Sequence, residues 1–415
     1  MNIQTMTQQP LMKAYSSMVL VLALVVSVLV TGLKWNESQS YKPHINSTPN
    51  TMPDLLFTTK TDLLPGRLYF EMSSFQDNTG YLIEMDHQTG AITFSQQLEA
   101  FGMQFQRLDN ETMTFYEITE ANAKGLREFE EWAGIPFATG GHMALLNNEY
   151  QRIGSLIDPR GIDIHEIVKL DNGNLLYLIP DLRSPYSDPT LTCLPRCQVL
   201  GQSIVEVTPD GEVVFEWDAL DYYERSDFVL DDILILGHTM LYDVTHANAL
   251  EVTPDGNLLI SIRHTSEIIK IDRETGAILW RLGGAESHHN DFQYINDPFN
   301  GVSHQHQPVM LDNGNLLIFD NGNGRERPYT RVVEYQLDEA SMTATLVWSY
   351  VTPEQHFSPN RGNAQRLENG NTLINYVSRD KPIVEVNPEG EIVMEIDLPD
   401  GYESYASYQV QFWPE

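Results

Sequence analysis

Basic residues are scarce in this 415-residue chain, and cysteine is nearly absent. Lys and Arg number 25 against 58 Asp and Glu, a formal net charge of −33. A surface of that sign cannot displace counterions from phosphates, which argues against nucleic acid as a partner. No EF-hand loop and no regular acidic repeat accompanies the charge. Its plain meaning is solubility in a salty or extracellular medium rather than calcium binding. The two cysteines, Cys193 and Cys197, are separated by Leu-Pro-Arg. Two thiols without a nearby histidine do not make a structural zinc site, and in an exported chain a local disulfide is the expectation. Neither a metal nor a cofactor is expected from any motif.

A long apolar run occurs once. Residues 14–33 contain MVLVLALVVSVLV, preceded by Lys13 and free of acidic residues. About 20 apolar residues are long enough to span a bilayer. A cleaved signal favours a shorter run and small residues at the cleavage point, so the segment reads as an uncleaved signal-anchor. The organisation expected is a tail over 1–13, the anchor over 14–33, a linker over 34–62 and a folded domain over 63–415. That domain would sit in the periplasm or another extracytoplasmic space. Hydrophobic content of 41% with 10% aromatics supports a large core there.

What the domain has in abundance is one kind of hairpin. KLDNGNLLYLI from Lys169, EVTPDGNLLISI from Glu251, MLDNGNLLIFD from Met310 and RLENGNTLINY from Arg366 each place Asn-Gly or Asp-Gly between apolar strands. Such dipeptides suit type I′ turns. A second hairpin follows each one, from Ile204, Ile268, Val332 and Ile383. Two hairpins make a four-stranded sheet. Weaker copies run from Gly66 to Gln96 and from Phe105 to Ile157, the latter with a helical insert near Thr119–Trp132. Six such sheets predict an all-β fold, a six-bladed β-propeller, with the C-terminal SYQVQFW closing the ring on the first sheet. Long insertions at Pro180–Gln202 and Ala219–Val244 would roof one face.

The residues ahead of each first hairpin lie innermost in such a fold. Those positions read HEIVKL with His165, THANAL with His246 and Asn248, SHQHQPVML with His304 and His306, and NRGNAQRL with Asn363. Three successive sheets thus place histidine at equivalent points near the axis. Arg263 ends the second strand after His246, so an imidazole and a guanidinium face a common region, a pattern suited to an anionic group.

These segments carry a family resemblance. VVFEWDALDYY, DVTHANALEVTPDGNLLISIRHTSEIIKIDRETGAILWRLGG, SHQHQPVMLDNGNLLIFDNGNGR and GNAQRLENGNTLINY resemble the bacterial aryl-sulfate sulfotransferases that use no nucleotide sulfate donor. The likeness covers roughly Gly161 to Ile396. It implies transfer of a sulfuryl group from a phenolic sulfate ester to a phenolic acceptor, by a ping-pong route through a sulfo-histidine. By motif position the nucleophile is His306. His165, His246 and Arg263 are implied as catalytic partners, and Asn248, His304 and Asn363 as substrate-binding residues.

The chemistry agrees with that assignment. An unperturbed imidazole, pKa about 6.5, is largely neutral at pH 7 and can attack sulfur. Arg263 holds its charge and offers a fork of donors to sulfuryl oxygens. His165 or His246 can move the proton between phenol oxygens. Two other readings stand beside it: a sulfatase-like hydrolase on the same frame, and a non-catalytic extracytoplasmic propeller that binds a partner.

Overall fold

A computed structural model describes residues 52–74, 79–98, 102–117, 141–183, 197–227, 233–236, 239–324, 327, 329–377, 383–399 and 410–415. They form six antiparallel-based sheets arranged as the blades of a β-propeller. Blade 1 holds Gly66–Ser74, Thr79–Asp86 and Ile92–Leu98; blade 2 runs from Gly102–Arg107 to Arg152–Leu156. Blade 3 begins at Ile167–Lys169, blade 4 at Ala247–Val252, blade 5 at His306–Met310 and blade 6 at Asn363–Arg366. The first strands of neighbouring blades adjoin one another, which sets them around the axis.

Both chain ends close the ring. Val410–Pro414 pairs antiparallel with Gly66–Ser74 and supplies the innermost strand of blade 1, as SYQVQFW led one to expect. Leu56–Thr59, within the stretch read as linker, instead adds an outer strand to blade 6 by pairing with Met394–Asp397. Blades 1, 2 and 4 have four strands. Blades 5 and 6 gain a fifth, and blade 3 has six. The extra strands of blade 3 come from the insertion after Ala219: Thr239–Asp243 lies parallel to the start of Cys197–Val207. Part of the first insertion, by contrast, lengthens the hairpin Leu175–Arg183/Cys197–Val207.

Packing follows from the strand pattern. Strands two and three of a blade are buried on both faces because a neighbouring blade covers each, as in LLISI and EIIKI, where every residue is buried. The resulting core is six apolar clusters, one at each blade-to-blade junction. Outer strands are half-exposed, as in Val213–Asp218.

The turns differ from the type I′ expectation. In the hairpin at Gly256 only the glycine has positive φ, +82°, and its N–H returns to the Thr253 carbonyl three residues back. Gly173, Gly314 and Gly370 repeat the arrangement. This is a tight turn followed by a left-handed glycine, the three-residue hairpin loop. The residue before the glycine therefore stays in an ordinary conformation, and Pro254 is accommodated where a type I′ turn would reject it.

The expected anchor over 14–33, the insert near Thr119–Trp132 and Cys193 lie outside the described residues, so the Cys193–Cys197 pairing does too. Among the described residues no helix is long and apolar enough to cross a membrane.

Candidate active site

The inner strands carry irregularities at one level. Register shifts fall between Met103 and Gln106, Ala247 and Ala249, and His306 and Val309. Such bulges re-aim side chains and concentrate beside active sites. His246, His304, Gln307 and Arg361 all have positive φ (49°, 53°, 43° and 63°), strained for residues with side chains and clustered at this end of the axis.

Four imidazoles form a row there. The His165 and His246 ring centroids are 5.3 Å apart, His246 and His264 4.7 Å, and His264 and His304 6.5 Å. Each is held from behind. The His165 Nδ1 pairs with the Asp163 carboxylate, which also accepts the His165 backbone N–H at 3.0 Å. His246 Nδ1 lies 2.5 Å from Asp243 Oδ2. His264 Nδ1 donates to the Asp243 carbonyl at 2.8 Å, and Ser303 Oγ lies 3.1 Å from His304 Nδ1.

His306 is 3% exposed and held differently. Its Nδ1 is 2.8 Å from Asn321 Oδ1, while Nε2 accepts the Arg361 backbone N–H at 3.1 Å. Burial pushes its imidazole well below the usual range. The charges of Arg263, His165 and His246 push the same way, against the hydrogen bond to Asn321. Burial likewise lowers His246 to about 4, against the pull of Asp243. Both rings are therefore neutral at pH 7 in the ligand-free protein. Arg263 Nη2 also reaches the Pro359 carbonyl at 3.4 Å, on the loop that leads to Arg361.

The fold thus brings His165, His246, Arg263 and His306 into one electrostatically coupled group, with His304 at the end of the row. Asn248 is buried beside it and donates to the Gln305 carbonyl at 2.8 Å, linking blade 4 to blade 5. Asn363 is placed otherwise. Its amide donates to the Val410 carbonyl at 2.8 Å and accepts the Val410 N–H at 3.1 Å, so it clasps blade 6 to the closing strand. Sequence reasoning missed His264, Asp163, Asp243 and Asn321. The signals were present: His264 follows Arg263 directly, and each aspartate stands two or three residues before its histidine.

Asp243, His246 and His264 offer ligand atoms within 4.8 Å of one another. Two ligands bound to one ion at about 2.0–2.2 Å sit roughly 3 Å or more apart. The 2.5 Å separation of His246 Nδ1 and Asp243 Oδ2 instead calls for a proton between them, and His264 Nδ1 is committed to a carbonyl. The cluster is a hydrogen-bonded orienting device.

Two carboxyl groups lie further along the axis. Glu166 accepts from Gln307 at 3.1 Å and Gln106 at 3.4 Å; Glu251 accepts the Met310 N–H at 2.9 Å. Burial pushes Glu166 up to about 7 and Glu251 up to about 8, the latter helped by the charge of Glu166.

The fold and this cluster define a β-propeller with a buried histidine among imidazoles and a guanidinium at its axis. The arylsulfotransferase family model matches residues 56–409, and the chain belongs to that family. It is 24% identical over 266 residues to the arylsulfate sulfotransferase AssT of Escherichia coli, covering 49% of this chain and 43% of that protein. It is 37% identical over 76 residues to the AssT of Lelliottia amnigena, 16% of this chain and 11% of that one. The chain thus matches less than half the length of these curated relatives. Among solved structures, a protein of unknown function from Bacteroides caccae aligns with a TM-score of 0.49 at 15% identity, covering 85% of this chain and all of that one (100%).

Proposed function

We propose that the protein is an aryl sulfotransferase that carries a sulfuryl group from a phenolic sulfate ester to a phenolic acceptor on His306, without a nucleotide donor. The observation that carries this reading is the neutral, buried His306 set beside Arg263 and the histidine row, in a chain of the arylsulfotransferase family. In the first half-reaction the His306 Nε2 lone pair attacks sulfur and an N–S bond forms. The S–O bond to the aryl group breaks, and its electron pair leaves on the phenolate oxygen. A proton held at His165 or His246 goes to that oxygen. The anionic sulfate favours the protonated imidazole beside it, which supplies that proton on binding. Arg263 and Asn248 would hold the sulfuryl oxygens, preorganised charge of the kind that contributes most to such catalysis. In the second half-reaction an acceptor phenol yields its proton to the same imidazole and takes the sulfuryl group. The acidic surface opposes anionic donors, so the positive field must be local to the axis. The stretch 14–33 would tether the propeller to a membrane.

The test uses p-nitrophenyl sulfate with and without phenol. Release of p-nitrophenolate that requires phenol supports transfer. Phenol-independent steady release would make the protein a hydrolase, and no release at any concentration would overturn both readings.

A further inference from the structure

The three axial histidines that face the proposed chemistry are backed by different groups. His165 has Asp163 and His246 has Asp243, both carboxylates. His306 has Asn321, an amide. A carboxylate behind an imidazole favours the charged ring and suits a group that takes up and returns protons. A neutral acceptor orients the ring and favours its charged form less than a carboxylate does.

The orientation of Asn321 is fixed by its surroundings. Its Nδ2 donates to the Ser358 carbonyl and to the Arg361 carbonyl, each at 2.9 Å. Two carbonyls can face only an NH2, so Oδ1 must be the atom turned to His306. The other side of the ring agrees independently. A backbone N–H can only donate, and the Arg361 N–H points at Nε2. Nδ1 therefore carries the hydrogen, and Nε2 carries a lone pair that accepts the Arg361 N–H at rest and must exchange that hydrogen bond for sulfur on attack. Asn321 is buried and directly follows strand Asn315–Asp320, in which Phe319 pairs with His306.

We propose that Asn321 is the positioning residue for the nucleophile: it holds His306 as the Nδ1–H tautomer, leaving Nε2 as the attacking nitrogen. This rests on the sulfotransferase reading of His306. Once the N–S bond forms, the imidazole carries a positive charge and its Nδ1–H is held by the Asn321 carbonyl oxygen. When the acceptor attacks sulfur, the N–S electron pair returns to Nε2. An aspartate at this point would favour the imidazolium, so the lone pair would be lost to a proton at higher pH than in the wild type.

The experiment combines nitrogen-15 NMR of histidine-labelled full-length protein with turnover of p-nitrophenyl sulfate in the presence of phenol. The His306 resonances are identified by their loss in His306→Ala. The wild-type ring is expected as the Nδ1–H form; an Nε2–H ring at rest overturns the proposal. Asn321→Ala should weaken that tautomer preference, with the Arg361 N–H still facing Nε2, and lower kcat by about 10²-fold, within the range a wrong imidazole tautomer costs, with the donor KM little changed. Asn321→Asp should keep the Nδ1–H form but move the acidic limb of the kcat profile to higher pH, because its carboxylate favours the imidazolium. A merely structural amide would shift neither the tautomer signal nor the pH profile. Wild-type values of both in Asn321→Ala and Asn321→Asp overturn the inference, even when His306→Ala is inactive. An active His306→Ala would instead refute the function reading beneath it. Should Asn321→Ala fail to fold, the wild-type tautomer and the Asn321→Asp profile still decide.

Discussion

Replacing Glu251 with glutamine should make the protein more stable in alkaline solution and leave it little changed in acid. Burial raises this carboxyl from 4.5 to about 8 in the fold. A raised carboxyl pKa means that the folded state binds a proton the unfolded chain has already lost. Its contribution is therefore whole below about pH 4.5, falls as pH rises through the interval to about 8, and levels off beyond. At about 1.4 kcal/mol per unit the full interval corresponds to about 5 kcal/mol. Glu251 is partly exposed, which trims the expected change to a few kcal/mol. Glutamine is neutral at every pH and can still accept the Met310 N–H, so the variant should escape this loss. Denaturant unfolding of both proteins at pH 5, 7 and 8.5 measures it. The stability difference, variant minus wild type, should grow by a few kcal/mol across that range. Parallel pH dependences would refute the claim that a buried carboxyl is held protonated on the axis.

Three further outcomes follow from the geometry. Arg263→Lys should lower kcat/KM for a phenolic sulfate by about 10²-fold, because an ammonium cannot reproduce the guanidinium fork; wild-type kinetics would remove Arg263 from the site. Asn363→Ala should cost about 1–3 kcal/mol by unpairing the Val410 backbone, with the donor KM unchanged. A raised KM at full stability would return Asn363 to substrate binding. His87 and Glu385 form a fully buried pair at 2.6 Å between blades 1 and 6. His87→Ala should cost about 1–3 kcal/mol in urea unfolding by leaving buried Glu385 Oε2 without its partner, and a loss under about 0.5 kcal/mol would show the pair to be dispensable.

The repeat made the propeller legible because each blade is written by local rules, alternating apolar strands and a glycine-marked turn. What was not legible came from the irregular parts. Leu56–Thr59 reads as polar tether, yet the free edge of blade 6, a feature of tertiary structure alone, recruits it as a strand. Asp243 sits three residues before His246, but at the end of a strand that pairs in parallel within an insertion that matches no repeat, so the repeat did not single it out. Asn363 and Asn248 both stand at the start of a blade's first strand and looked alike as ligands. The closing strand captures the first through both amide atoms, whereas the second lies beside the histidine row. His306 stood out because its strand position repeats; its neutrality depends on burial and on Arg263 of the neighbouring blade, which no local motif encodes.

The central claim is a covalent sulfuryl group on His306. The direct measurement is mass spectrometry of the protein quenched in alkali after brief exposure to p-nitrophenyl sulfate without an acceptor. The expected result is one added sulfuryl group per chain, located at His306, lost on addition of phenol and absent from His306→Ala. Phenol-dependent turnover with no adduct on His306, or an adduct that persists in His306→Ala, would contradict it.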